Sequence, residues 1–167
     1  MSVPALYQES VPVLTSFLTN LQAILQKAQQ HVSEHKLDEA ALLQARLFPD
    51  MFPFVRQVQI ACDAAKGGVA RLAGVEIPKF PDVETSFAEL ILRVEQTRAF
   101  VASVPVQAFE SSAERQIVLQ FGDWRREFNG AEFLRTWSLP NFYFHITTAY
   151  GLLRHNGVAL GKMDYLG

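Results

Sequence analysis

Cysteine is almost missing from this chain, which contains only Cys62. A single cysteine excludes an internal disulfide framework and is typical of a protein in a reducing compartment. Long apolar runs are missing too, since none reaches the ~18 residues that a membrane-spanning helix needs. The N-terminus lacks the basic start and the apolar stretch of a signal peptide. We therefore expect a cytoplasmic protein that has no membrane partner.

Charge is also scarce and evenly divided. Charged residues make up 19% of the chain, and 15 basic against 17 acidic side chains give a net charge of −2. The basic residues are scattered, so the chain lacks the basic patch that nucleic-acid binding needs, and we expect no nucleic-acid partner. With 49% hydrophobic residues, the 167-residue chain is large enough to bury a core, and we expect a single domain over residues 1–167.

Known catalytic signatures are absent: there is no G-x-S-x-G elbow, P-loop, H-E-x-x-H motif or dinucleotide fingerprint. Cys62 lies on an apolar helical stripe without an obvious cationic neighbour, which favours an inert core thiol over a nucleophile. Trp124 with Arg125 and Arg126 could stack on nucleic-acid bases. A solvated turn with an apolar anchor is the simpler interpretation, because Glu127 dilutes the charge.

Apolar residues recur at spacings of three and four along most of the chain, which predicts long amphipathic helices. The first is predicted over residues 10–35, with Ser10 as its cap and Pro12 in its first turn. A short helix over Asp38–Arg46 is predicted to follow.

The second long helix is predicted to begin near Asp50 and to end at Gly74. The pair Gly67-Gly68 weakens it by roughly 1 kcal/mol per glycine relative to alanine, and close packing against a neighbour would be one reason to accept that cost. Ser86 and Glu89 form an S-x-x-E capping box at the start of the third helix, which is predicted to end before Pro105.

The periodicity changes over residues 116–128, where two short β-prone runs around Gly122-Asp123 predict a small hairpin. Asn129-Gly130 then begins a fourth long helix that is predicted to continue through Arg154, with a kink at Pro140. The expected fold class is therefore all-α: a four-helix bundle with a small β-hairpin insertion between the third and fourth helices.

Polar side chains interrupt the apolar fourth helix. Asn141 and His145 are spaced i,i+4, so they point the same way, and Gln59 lies on the inner stripe of the second helix. If these two helices face each other, the three side chains could meet inside the bundle. They would then form either a pocket or a core network that hydrogen-bonds to itself, and the second alternative is the more common use of buried polar groups.

A second i,i+4 pair, His31 and His35, lies at the end of the first helix and is a possible metal half-site. Its position at a helix C-terminus favours a structural or solvent-facing role. The fourth helix is apolar on nearly every side, which in a single-layer bundle would leave one apolar face in water. We therefore expect a partner subunit, most simply in a homodimer.

Two blocks, "FPDMFPFVRQVQIACDAAKG" and "LPNFYFHITTAYGLLRHNGVALGKMDYLG", resemble a family of uncharacterised bacterial proteins grouped with the DinB/YfiT-like metalloenzymes. The resemblance covers essentially the whole chain. It implies a four-helix bundle with up-down-down-up connectivity and, commonly, a homodimer. In metal-binding relatives, one His on the second helix and an H-x3-H pair on the fourth hold a divalent ion, and some relatives are thiol-dependent transferases that use bacillithiol or mycothiol.

Matching the motifs puts Gln59, Asn141 and His145 at the three metal-ligand positions, so the resemblance implies a degenerate site that keeps one His of three. Three hypotheses follow. The protein could hold a small-molecule ligand in the former metal pocket. It could be a metal-dependent enzyme of the thiol-transferase type with weakly bound zinc or nickel. It could instead be a structural or interaction protein with a buried polar network.

Overall fold

The computed structural model describes residues 3–167, which are mainly helical. The four long helices are α1 (Ala5–His35), α3 (Phe54–Ala73), α4 (Phe87–Ser103) and α6 (Leu139–His155). The short ones are α2 (Glu39–Leu43), α5 (Gly130–Phe133) and α7 (Lys162–Leu166), with a 3₁₀ turn over Val106–Phe109. Strands β1 (Gln116–Phe121) and β2 (Trp124–Asn129) form one antiparallel hairpin. The predicted mainly helical chain with a small hairpin is confirmed, although the helices are more numerous than predicted.

The long helices pack as two antiparallel pairs. In the first pair, Gln22 of α1 donates to Glu95 of α4 at 2.7 Å, and Arg98 donates to Thr19 at 3.3 Å. In the second pair, the start of α3 meets the middle of α6, and the last third of α3 meets the segment before α6. Residue numbers therefore rise along one helix of each pair as they fall along the other.

Helices α3 and α4 join the two pairs and run in the same direction. The rings of Phe54 and Phe87 lie 5.7 Å apart near the helix starts, and Arg93 reaches Asp63 about two turns further on. Fully buried apolar side chains from all four long helices meet in one core, which includes Leu14, Leu18, Leu21, Val58, Ala61, Ala65, Leu90, Val94, Phe142 and Ile146.

Helix ends follow the sequence signals in some places and not in others. Asp38 caps α2, which ends at Leu43, three residues before the predicted end at Arg46. Gly74 ends α3 with a φ of 69°, and the Ser86 hydroxyl accepts a hydrogen bond from the Glu89 amide at 3.2 Å, both as predicted. The Glu89 carboxylate accepts hydrogen bonds from the amide and the hydroxyl of Thr85 rather than from the Ser86 amide, so only half of the predicted capping box is formed.

Two predicted helix starts are wrong. Helix α1 begins after Pro4, and Ser10 lies buried within it, where its hydroxyl donates to the Leu6 carbonyl one turn back. Helix α3 begins after Pro53 rather than at Asp50. In both places a proline stands at the boundary, because its fixed φ suits the residue that precedes or opens a helix.

The predicted fourth helix is interrupted by a π-helical segment, Leu134–Ser138, between α5 and α6. The prediction put a kink at Pro140. The irregular turn lies just before Pro140. In a regular α-helix the ring of Pro140 would collide with the Thr136 carbonyl, and because proline has no backbone N–H, that carbonyl would also lose its usual hydrogen-bond donor. π-helical turns of this kind occur frequently at functional sites.

The C-terminal segment covers part of the apolar surface of α6. The Tyr165 ring packs 5.2 Å from Phe17 and 6.1 Å from Tyr150, measured between ring centroids. This contact supplies from within the chain some of the cover that we expected from a partner subunit, and Phe144 is left 56% exposed. Among residues 3–167, no helix is long and apolar enough to cross a membrane.

Candidate functional site

A cavity of about 260 Å³ lies between α3, α6 and the hairpin. Apolar and aromatic side chains form most of its wall, and four residues with polar side chains also line it: Asp63, Arg71, Ser138 and Asn141. The hairpin supplies Leu119 and Phe121. The cavity combines an apolar lining with a few polar groups, which is the usual composition of a small-molecule site.

The α3 wall of the cavity includes Gly68, the second residue of the glycine pair. A Cβ atom at Gly68 would collide with the Ser138 hydroxyl, and a Cβ atom at Gly67 would lie 2.6 Å from Nη1 of Arg71. The glycines therefore leave room for the polar groups of two residues that line the cavity. Close packing against a neighbouring segment, one possible reason for the pair, is present at Gly68, whereas at Gly67 the close atom belongs to Arg71 of the same helix.

The π-helical segment forms the opposite wall with Trp137 and Ser138, and Asn141 follows on α6. The Ser138 hydroxyl is buried and has no hydrogen-bond partner among the described residues. A buried polar group without a partner is destabilising by about 1–3 kcal/mol, so such a group calls for an explanation.

Arg71 is a second polar group of the cavity that is only partly satisfied. It is half-buried, and Nη1 donates to the Gly67 carbonyl at 3.0 Å. None of the ion pairs within residues 3–167 includes Arg71. Burial lowers the pKa of its guanidinium. The group nevertheless stays charged, because an arginine guanidinium does not deprotonate in proteins.

Asp63, the acidic side chain among the described residues of the cavity wall, is already paired with two cations. Lys66 Nζ lies 2.9 Å from its Oδ1, and Nη2 of the buried Arg93 lies 3.0 Å from the same atom. Arg93 also binds Asp82 at 2.9 Å and Glu84 at 2.8 Å. This network ties the connection between α3 and α4 to both helices, and we assign it a structural role.

Gln59 belongs to that network. Its Nε2 donates to Glu84 at 2.7 Å, and its Oε1 accepts from Arg56 at 2.8 Å. The side chain that meets His145 is Gln57, with 2.7 Å between His145 Nδ1 and Gln57 Oε1. Residues two apart on an α-helix differ by about 200° in direction, so Gln59 and Gln57 face nearly opposite sides of α3.

His145 is held in one tautomer by its neighbours. Gln57 donates through Nε2 to the Phe52 carbonyl at 3.0 Å, which turns its amide oxygen toward His145. Nδ1 of His145 is therefore the protonated nitrogen, and Nε2 keeps its lone pair. Burial and the nearby charge of Arg56 lower the pKa of the imidazole, so it is neutral at pH 7.

The residues predicted as metal ligands therefore have three different environments: Gln59 in the charge network, Asn141 at the cavity and His145 on Gln57. An imidazole oriented by a carbonyl oxygen is typical of metal-binding histidines. Zinc, however, needs about three His, Cys or carboxylate ligands, and amide oxygens are weak substitutes. No group of three His, Cys, Asp or Glu within residues 3–167 could hold a metal. This donor set does not fit a tightly held zinc or nickel ion.

Two other sequence features are now located. Burial raises the pKa of the Cys62 thiol to about 12, which agrees with an inert core cysteine. The rings of His31 and His35 lie 4.4 Å apart, and Nδ1 of His35 lies 3.0 Å from the His31 carbonyl oxygen. The pair borders a shallow cavity of about 290 Å³, and its use as a metal half-site stays a prediction.

The hairpin is anchored on the π-helical segment rather than presented as a cationic surface. Trp124 stacks on Trp137 with 5.1 Å between ring centroids, while Arg125 pairs with Glu127 and Arg126 lies 3.5 Å from Glu132. These contacts favour the apolar-anchor interpretation of the hairpin over a nucleic-acid stacking surface.

Sequence reasoning missed Arg71, Ser138, Asp63 and Gln57. One signal was available, because Ile60, Ala64, Gly68 and Arg71 recur at spacings of three and four and form one face of α3. Gly68 on that face marks the place where another element approaches closely. Nothing in the sequence indicated the π-helical turn that brings Ser138 to the cavity.

Comparisons with known proteins agree with this fold. Residues 6–166 match the family described as a domain of unknown function, DUF1993. A solved structure of a DinB family member protein from Shewanella denitrificans is 44% identical, with a TM-score of 0.89, and the match covers 97% of this chain and 92% of that one. No curated protein matches the chain.

Proposed function

The chain belongs to the DUF1993 family and resembles a DinB family member throughout, and from that premise we propose that it binds a small organic molecule in the cavity between α3, α6 and the hairpin. The observation that carries this proposal is the buried Ser138 hydroxyl, which has no partner within residues 3–167 and belongs to a cavity-lining π-helical turn. A bound molecule would satisfy a group that the fold leaves unsatisfied.

We further propose that this is the up-down-down-up four-helix bundle of the DinB-like proteins, with the hairpin as an insertion before the last long helix. The antiparallel pairs α1–α4 and α3–α6, together with parallel α3 and α4, support this connectivity. On this proposal the ligand pocket persists close to positions at which relatives hold a metal, and the chain has lost the donors for a tight metal site.

The ligand proposal can be tested with the protein's own fluorescence. The chain has two tryptophans, so Trp124→Phe leaves Trp137, a cavity residue, as the only reporter. A panel of metabolites of up to about 15 heavy atoms is titrated into this variant, because a cavity below ~300 Å³ is smaller than most drug-sized sites. We expect at least one compound to change Trp137 emission saturably.

A cavity-filling variant supplies the control. Ala64→Leu introduces three carbons into the cavity and should abolish the response, whereas Ala99→Leu on the exposed face of α4 should preserve it. Equal responses in the two variants would place the binding elsewhere. No response in the parent variant across the panel would contradict the proposal.

A metal-dependent thiol transferase stays a prediction of the family resemblance. His145 has the protonation state of a ligand, with Nε2 unprotonated, but the neighbouring groups provide no second strong donor for zinc. We derive no catalytic step through a metal.

We also propose a homodimer. The sequence suggested it from the apolar fourth helix, whereas the proposal is supported by a group of exposed phenylalanine side chains. Phe48, Phe52 and Phe144 are each more than half exposed, and Gln57 links the Phe52 backbone to His145, next to Phe144. Exposed aromatic side chains grouped in this way are typical of subunit interfaces.

Light scattering coupled to size-exclusion chromatography tests the dimer. The unmodified protein should elute as a dimer, Phe144→Glu should elute as a monomer, and Leu92→Glu, an equally exposed apolar site on α4, should remain dimeric. A monomer at all working concentrations of the unmodified protein would refute the assembly.

A further inference from the structure

The charged side chains around the cavity indicate what kind of ligand it would bind. Every basic side chain of the adjoining network is paired: Arg56 with Asp82, Lys66 with Asp63, and Arg93 with three carboxylates. Arg71 lines the cavity and has no carboxylate partner within residues 3–167. Within the part of the chain that the structure describes, the cavity wall therefore has one positive charge without a carboxylate partner.

Arg71 also has hydrogen-bonding capacity to spare. A guanidinium has five N–H donors in a planar fork. One of them is used on the Gly67 carbonyl, and no other protein acceptor is bound within the described residues. Burying a cation without a counter-charge is unfavourable, and a bound anion removes that penalty.

The second polar group approaches the same turn of α3 as the first. Nη1 of Arg71 lies 2.6 Å from the position that a Cβ of Gly67 would take, and the Ser138 hydroxyl meets the position that a Cβ of the next residue, Gly68, would take. Asn141 lies about one turn beyond Ser138 and lines the same cavity. The two glycines admit these groups to the cavity, at the expense of helix stability.

We propose that the cavity binds a small organic monoanion, a carboxylate with an apolar or aromatic body, whose charged end is held by Arg71 and Ser138 and whose body lies against Trp137 and Phe121. This inference rests on the proposed ligand-binding function and adds the chemical class of the ligand. A carboxylate matches the guanidinium fork with two parallel hydrogen bonds and accepts another from the serine hydroxyl.

A single charge fits this site better than a double one. The wall offers one unpaired cation, and the carboxylate of Asp63 faces the same cavity, so the second charge of a phosphate monoester would be left without a partner and close to an anion. The aromatic wall, in which Trp137 is backed by Trp124, provides a flat surface for a ring.

The test compares three probes of similar shape: benzoate, phenyl phosphate and benzyl alcohol. Each is titrated at pH 7.5, at millimolar concentrations, into the Trp124→Phe protein and followed by Trp137 fluorescence. We expect benzoate to bind at least tenfold more tightly than the other two. In the Arg71→Met variant, benzoate should lose tenfold or more in affinity, because charged hydrogen bonds are the strong ones, while benzyl alcohol should be unaffected.

Arg98→Met, on α4 where Arg98 donates to Thr19, makes the same change in net charge away from the cavity and should leave benzoate binding unchanged. A loss of benzoate affinity in Ser138→Ala, without a loss for benzyl alcohol, would support the role of the hydroxyl.

The outcomes separate this inference from the proposed function. Equal binding of benzoate and benzyl alcohol, or benzoate binding that survives Arg71→Met, overturns the monoanion and leaves the ligand pocket intact. A preference for phenyl phosphate overturns the carboxylate in favour of a phosphate ester. Failure of all three probes overturns the inference, and the pocket itself is then judged by the metabolite panel with Ala64→Leu.

Discussion

The contact between Gly68 and Ser138 provides a sharp test of how the cavity is built. Gly68→Ala should help α3 by about 1 kcal/mol through helix propensity. Its new Cβ meets the Ser138 hydroxyl, however, and overpacking typically costs about 1–3 kcal/mol. Because the hydroxyl can rotate about χ1, we take the lower part of that range, about 1–2 kcal/mol. The net loss of unfolding free energy should then be about 0–1 kcal/mol.

Ser138→Ala should change stability in the opposite direction. It removes a buried hydroxyl that has no protein partner within residues 3–167, and we expect a gain of about 0.5–1 kcal/mol. In that background the methyl group introduced by Gly68→Ala meets only the Cβ of residue 138 at 3.5 Å, which is an ordinary contact. The double variant should therefore gain about 1.5–2 kcal/mol over the parent protein, which implies a coupling energy of about 1–2 kcal/mol.

Urea unfolding of the parent protein, the two single variants and the double variant measures this coupling energy. An equal m-value in all four proteins checks that the denatured state is unchanged. Gly151→Ala is the matched control. A Cβ at Gly151 meets nothing within 4 Å, so this change should add about 1 kcal/mol in either background with no coupling to position 138. Additive effects of Gly68→Ala and Ser138→Ala would refute the assigned contact.

Three further predictions concern buried groups. Arg93→Met should lower the unfolding free energy by about 3–5 kcal/mol because it leaves the partner carboxylates without a counter-charge, whereas Arg98→Met should change it by less than ~1 kcal/mol. A small loss in both variants would contradict the structural role of the network. Cys62 should not react with a disulfide reagent at pH 8 until the protein is unfolded in urea, because burial raises the pKa of its thiol to about 12. Rapid labelling of the folded protein would contradict the buried position of the thiol. His145 has a folded-state pKa below its ordinary 6.5, so the unfolded chain takes up its proton first and stability should fall as the pH drops below about 6.5. His145→Gln, compared by urea unfolding at pH 7.5 and 5.5, should show a smaller pH dependence than the parent protein, and an equal or greater dependence would refute the assignment.

The elements that the sequence predicts well are those whose signals are local. The hairpin was predicted over residues 116–128 and lies over Gln116–Asn129, because alternating residues flank a two-residue turn in which Gly122 has a φ of 58°. The Gly74 stop and the Ser86 cap are equally local. Ser10 was a poor signal for a helix start, because serine is favoured at N-caps but can also lie within a helix. There its hydroxyl donates to the carbonyl one turn back, as Ser10 does to Leu6.

Site residues are harder to predict because they depend on which faces of two helices meet. Periodicity placed Asn141 and His145 on one face of α6 but could not show whether Gln59 or Gln57 would lie opposite, since this depends on the rotation of α3 about its axis. The structure turns Gln57 toward His145 and leaves Gln59 with Glu84. An error of two positions on a helix is an error of face, and it changes the chemistry assigned to the residue.

Locally unfavourable features are informative when they coincide. Two glycines weaken α3, a π-helical turn interrupts the helix opposite, and a serine hydroxyl has no protein partner within residues 3–167. Gly68, Trp137 and Ser138, which belong to these three features, line one cavity. The charge network around Arg93 pairs its cations with carboxylates, and we assign it a structural role, although Nε of Arg93 is also buried without a partner within residues 3–167. Natural proteins tend to depart from good local structure at functional sites. The region around Arg71 and Ser138 is therefore a better place to look for a ligand than Gln59 and His145, which only the family resemblance matched to metal-ligand positions.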